Sequence, residues 1–102
     1  MDSFSDKQPY EEYYVDFDFS NVVVSPDTIA TAAVTAVDDH NNNAITVITT
    51  AIKQNIDTAL SKVYVWVQGG VSGTMYYLTC KIITANGEKY EKDGEIYVKE
   101  IN

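Results

Sequence analysis

The side chains in this chain that could do chemistry are few and far apart. The single histidine, His40, lies in the run Asp38-Asp39-His40-Asn41-Asn42-Asn43. Imidazole and carboxylates bind metals, but a site needs about three or four ligands held in fixed geometry. Asn and Asp in a row read instead as a loop, because both tolerate the left-handed backbone region and bond their own main chain. The single cysteine, Cys80, falls between Leu78 and Ile82 in a strand-like run, so an intramolecular disulfide is impossible. A small buried apolar role fits it better than a thiolate, which needs an electropositive setting. Asp16 and Asp18 point the same way from a strand, about 7 Å apart, yet two carboxylates alone make a poor hard-cation site. Glu91 and Asp93 form an acid pair of the kind used in glycoside cleavage, in a chain too short to build a sugar cleft. The glycines of Gly69-Gly70-Val71-Ser72-Gly73 lack the Lys-Ser/Thr of a phosphate cradle and open a strand where such a cradle opens a helix. No Ser–His–Asp or Cys–His set can be assembled. The expectation is therefore a protein that is not an enzyme, with no catalytic, cofactor-binding or metal site.

Composition narrows the partners. The chain has 102 residues, fifteen acids against seven lysines, no arginine and a formal charge of −8. Phosphate backbones are bound by Lys and Arg, so nucleic acid is a poor partner, and a basic protein is the charge-matched alternative to mere solubility. No apolar run approaches the roughly eighteen residues of a membrane helix, and the acidic, polar N-terminus does not read as a signal peptide. The length suits one domain with one core.

The elements that position these groups read as strands. In 63–67, Val-Tyr-Val-Trp-Val alternates with a two-residue period, and 75–84 is rich in strand formers and ends at Asn86-Gly87, a two-residue hairpin signal. Between them Gly69, Gly70 and Gly73 permit the chain to turn a corner. Earlier, Tyr13, Val15, Phe17 and Phe19 alternate with Tyr14, Asp16, Asp18 and Ser20, a half-buried strand. Ser25-Pro26-Asp27 is a turn, and the β-branched residues of 27–37 favour a strand over the helix its alanines would allow. Ile48, Ile52, Ile56 and Leu60 recur every four residues as in a helix, but the strand run 45–50 argues for strands over 44–49 and 50–55, with a turn at 55–57. In the last segment Ile96 and Val98 are core candidates, and Asp93-Gly94 reads as a bulge or kink. Residues 1–11 carry no pattern and read as a flexible acidic leader ahead of a single domain over 12–102.

About seven short strands with turns between them describe an all-β, immunoglobulin- or fibronectin-III-like antiparallel sandwich. If the valines of 63–67 point inward, Tyr64, Trp66 and Tyr77 form an outward aromatic stripe on one sheet, suited to a protein interface or to sugar stacking. Inverted register, with Trp66 in the core, is the competing arrangement.

The block from Trp66 to Tyr76, W-x-x-G-G-x-x-G-x-x-Y, with Ile82-Ile83-Thr84 and Asn86-Gly87 after it, resembles tailed-phage fibre–tail adaptor proteins. The resemblance spans roughly residues 12–99, with Asp16–Phe19 and Asp27-Thr28-Ile29-Ala30 in its N-terminal half. Glu88 stands where that family has a basic residue, and 38–60 match nothing in it. The resemblance implies a small sandwich serving as a structural component of the virion, made in the bacterial host cytoplasm. Its partners would be phage tail, fibre or connector proteins, in a multi-copy assembly. It also implies that Gly69, Gly70, Gly73 and Tyr76 form a structural corner, with the Tyr76 hydroxyl tied back to nearby backbone. The alternative, from a different class, is a carbohydrate- or surface-binding module built on Tyr64, Trp66 and Tyr77.

Overall fold

The computed structural model describes residues 2–44, 47 and 54–100. Among these described residues six antiparallel strands form two sheets: β2 (Tyr13–Asp18), β3 (Ile29–Asp38), β4 (Gln54–Asp57), β5 (Lys62–Val67), β6 (Thr74–Thr84) and β7 (Lys89–Val98). A two-residue N-terminal strand, β1 (Asp2–Ser3), adds to them in parallel with β7. The sheet orders are β1-β7-β6-β3 and β2-β5-β4, and no helix occurs among the described residues. With β2, β5 and β4 in the places of strands B, E and D, and β3, β6 and β7 in those of C, F and G, this is the immunoglobulin-like sandwich expected from the strand pattern.

The two-residue period dictates what lies between the sheets. Val63, Val65 and Val67 of β5 are fully buried, as are Phe17 and Phe19 from β2 and its continuation. The facing sheet contributes Tyr76, Leu78, Cys80 and Ile82 from β6, Val34 and Ala36 from β3, and Ile96 and Val98 from β7. A run of alternating apolar residues can bury one face only in one register, which is why these positions were legible.

Three local expectations are corrected. The 86–87 hairpin is a three-residue loop, 85–87: Gly87 donates to Thr84 O at 2.9 Å with a φ of 86°, and Thr84 N–H reaches Glu88 O at 2.8 Å. That is a turn followed by a left-handed residue, which Gly favours. The turn placed at 55–57 falls at 58–61, directly after β4, because Gln54, Asn55, Ile56 and Asp57 all pair with β5. The strands expected over 44–49 and 50–55 lie mostly outside the described residues.

Asp93-Gly94 is not a bulge. The β6–β7 register runs unbroken through Thr79↔Asp93 and Leu78↔Gly94, and the irregularity falls instead in β3, between Ile29 and Thr31. Gly94 is there because something else fills the space of its side chain. A Cβ at this position would come within 2.5 Å of Phe4 Cε2 and 3.3 Å of Phe17 Cε1. Glycine in a strand interior marks such a close approach.

The N-terminal segment, expected as a flexible leader, meets a different arrangement. Asp2 and Ser3 pair with Gly94 and Glu95, Phe4 N–H donates to Glu95 O at 2.9 Å, and Lys7 N–H donates to Tyr97 O at 2.8 Å. Lys99 N–H returns a bond to Lys7 O at 2.9 Å. Phe4 packs edge-on against Phe17, with ring centroids 5.4 Å apart. Residues 2–7 thus run along the outer edge of β7, which supplies the ordered partner that an isolated polar segment lacks.

Candidate interaction surface

The corner at 68–73 carries the chain from β5 in one sheet to β6 in the other. Tyr76, the third residue of β6, is buried, and its hydroxyl oxygen accepts the Val71 N–H at 2.8 Å. Gly73 N–H donates to Val98 O at 2.7 Å, which ties the same loop to β7. Gly70 has a φ of 98°, and a Cβ there would lie 2.8 Å from Val98 Cγ2. The conformation and the space both require glycine.

Lys7 completes the corner from the N-terminal side. It is wholly buried, and its ammonium donates to Gly69 O at 2.6 Å and Gln8 O at 2.9 Å. Burial lowers its pKa, while the carboxylates of Glu11 and Glu12 pull it back up. The only sequence signal for this was one lysine in an acidic, patternless segment, which is no signal for burial. Beside it a cleft of about 730 Å³ is lined by Pro9, Tyr10, Glu11, Glu12, Tyr13 and Gly69. Burial raises the Tyr13 pKa, with Glu11 and Asp6 adding to the shift. An acid-walled cleft with a neutral phenol offers no nucleophile and base pair.

The aromatic stripe is divided. Tyr64 and Trp66 point away from the core on β5, as the inward valines require, and the inverted register does not occur. Tyr77 lies on β6, in the other sheet, where it pairs across from Val37 and Glu95. The reason is the corner itself: residues on either side of a crossing between sheets have outward faces on opposite sides of the molecule. In place of Tyr77, the partner of Trp66 is Tyr14 on β2. The two residues are directly opposed, with ring centroids 5.0 Å apart and planes at 76°. Asn55 Nδ2 contacts the Tyr14 hydroxyl at 3.4 Å, and Lys62 Nζ approaches Asp16 Oδ2 at 3.7 Å. Tyr14 remains 43% exposed. The outer face of the three-stranded sheet is therefore an aromatic patch bordered by Asp16, Asp18 and Asp57, with one lysine among them.

The remaining chemical candidates stay apart. His40 is exposed at a loop tip, where its ring is 3.6 Å from Asp39, while Cys80 is fully buried. Asp38 is occupied by backbone, accepting the N–H groups of His40 at 2.9 Å and Asn42 at 3.1 Å. Asp18 accepts Ser20 N–H at 2.8 Å, and that bond holds its carboxyl below the usual range. Asp93 accepts the Thr79 hydroxyl at 2.7 Å, and Glu91 lies 3.9 Å from Lys81, both on the outer face of the larger sheet. No group of three or more metal-ligating side chains occurs among the described residues.

The geometry is thus that of a scaffold with outward faces, and the comparisons agree with it. No curated protein matches the sequence. The family described as podophage GP4 fiber-tail adaptor protein gp77 matches over residues 7–99, from the buried Lys7 to the end of β7 and just beyond. A match over nearly the whole sandwich, corner included, establishes that this chain belongs to the podophage fiber-tail adaptor family.

Proposed function

We propose that this protein is a non-enzymatic component of a tailed-phage virion that joins tail and fibre proteins by direct protein–protein contact, in several copies per particle. The observation that carries the reading is the family match across 7–99; beside it, Cys80 is buried, Asp38 is engaged with backbone and Asp93 with the Thr79 hydroxyl. The charge of −8 favours basic partner surfaces over nucleic acid.

Mass spectrometry and imaging of purified virions test this. The chain should be found at the tail, in symmetric multiple copies, and the isolated protein should capture a tail or fibre protein. Absence from virions, with no capture by any tail or fibre protein, rejects it. The carbohydrate reading now rests on Tyr64 and Trp66 with Tyr14 packed against the indole. Tryptophan fluorescence that shifts on a glycan panel would favour it; an unmoved signal removes it.

A further inference from the structure

Among the described residues, the three-stranded sheet has no strand beyond β2 at one edge. In immunoglobulin-type sandwiches the place beside strand B is held by strand A. Here the N-terminal segment is used on the opposite sheet, against β7, and among the described residues β2 pairs with β5 alone. Phe19 donates its N–H to Ser61 O at 2.8 Å, continuing the β2–β5 register. Backbone groups alternate sides along a strand, so residues 15 and 17 also face β5, and Tyr14, Asp16 and Asp18 turn their N–H and C=O groups to the vacant side. Open edges of this kind take up strands.

We propose that the β2 edge accepts an extended segment of a partner protein carrying Lys or Arg at every second position, as the fourth strand of this sheet. Whether a partner exists rests on the adaptor reading above; what it must look like follows from the edge. Residues opposite Tyr14, Asp16 and Asp18 share their outer face, where two carboxylates meet one lysine, and opposite charges directly across a ladder are favourable. The alternate residues point inward, towards the partly buried Phe4 and the Val15–Phe17 side of the core, so they are apolar. A second copy of this chain is the wrong occupant. Antiparallel pairing of β2 with itself about Asp16 would set that carboxylate against its own copy.

The test is an NMR titration of the ¹⁵N-labelled full chain with a short peptide of alternating lysine and valine. A peptide of the same composition in block order and an alternating glutamate–valine peptide serve as controls. The expected result is exchange protection at the amides of Tyr14, Asp16 and Asp18, with the alternating lysine peptide only. The double variant Asp16→Lys/Asp18→Lys should weaken binding about tenfold. Asp16→Pro should abolish it while the Val15 and Phe17 amides stay protected, because proline there deletes the edge-facing donor and the Asp16 carboxylate but no hydrogen bond to β5. Equal binding of the block peptide, no binding of any, shifts confined to Tyr64 and Trp66, or self-association of the chain through this edge each overturn the proposal. A chain that is found in virions but keeps its β2 edge amides open there refutes strand addition and leaves the adaptor function standing. Absence from virions refutes the adaptor function alone.

Discussion

The Tyr76 hydroxyl is one of the groups that tie down the loop linking the two sheets, beside the Gly73–Val98 and Lys7–Gly69 bonds. The Tyr76→Phe variant leaves the ring packed and deletes the acceptor of the Val71 N–H. The expected loss is about 1 kcal/mol, because water can reach the freed amide beside exposed Val71. Chemical denaturation should show it as a lower midpoint with an unchanged slope, and an unchanged midpoint would reject the role. Cys80 gives a second test. Its thiol is fully buried, and burial pushes its pKa from 9.0 up to about 12. Between those values the unfolded chain loses the proton and the folded chain keeps it. This contribution is therefore intact below pH 9 and falls as pH rises towards 12, at up to about 1.4 kcal/mol per pH unit. Lys7, with its pKa lowered by burial, runs the opposite way in the alkaline range, so the native curve alone mixes the two. The difference in stability between the native chain and Cys80→Ala isolates the thiol. It should shrink with pH above 9, and a constant difference would contradict the burial of Cys80.

At the scale of elements, β7 and the N-terminal segment work as one unit. Gly94 leaves a slot, Phe4 fills it, and Lys7 fastens the far end to Gly69. Gly94→Ala should cost about 1–3 kcal/mol through overpacking against the Phe4 ring. Phe4→Ala should cost about 2–3 kcal/mol, since the ring is only partly buried. Together they should cost less than their sum, as the new methyl then enters the space that the ring has left. Thermal melts of the four forms measure the coupling, and strict additivity would mean that Phe4 does not occupy the slot in solution. Segments that pack this way report little of it locally: 2–7 have no period, because a single aromatic and a single lysine carry the contacts.

For the whole molecule the governing quantities are charge and outward surface. Fifteen acids against seven lysines give copies of this chain a mutual repulsion and, on the proposed reading, favour a basic partner surface. Capture of a tail or fibre partner should weaken as salt is raised towards 1 M, because exposed charges more than about a Debye length apart are screened. Salt-independent capture would shift the contact to the Tyr14, Trp66 and Tyr64 aromatic face and away from the flanking aspartates.

The amino-acid order by itself determined which side chains of each strand go inside. The valines of 63–67, Val15, Phe17 and Phe19, the Tyr76–Ile82 face and the pair Ile96 and Val98 are all buried as their alternation dictates, with Tyr13 partly buried at the end of its face. The glycine spacing and the tyrosine three residues beyond it are likewise local features, which is why an expectation of a corner could be formed from them. The amino-acid order did not determine the sheet to which each strand belongs. Tyr77 is eleven residues from Trp66 along the chain and yet on the opposite outer face of the molecule, because the corner between them crosses the core. The contacts of Lys7, the reason for Gly94 and, among the described residues, the open edge of β2 likewise depend on residues about sixty to ninety positions apart meeting in space. Alternation is a property of neighbours in sequence, whereas strand partnership is a long-range choice that only the packed chain makes.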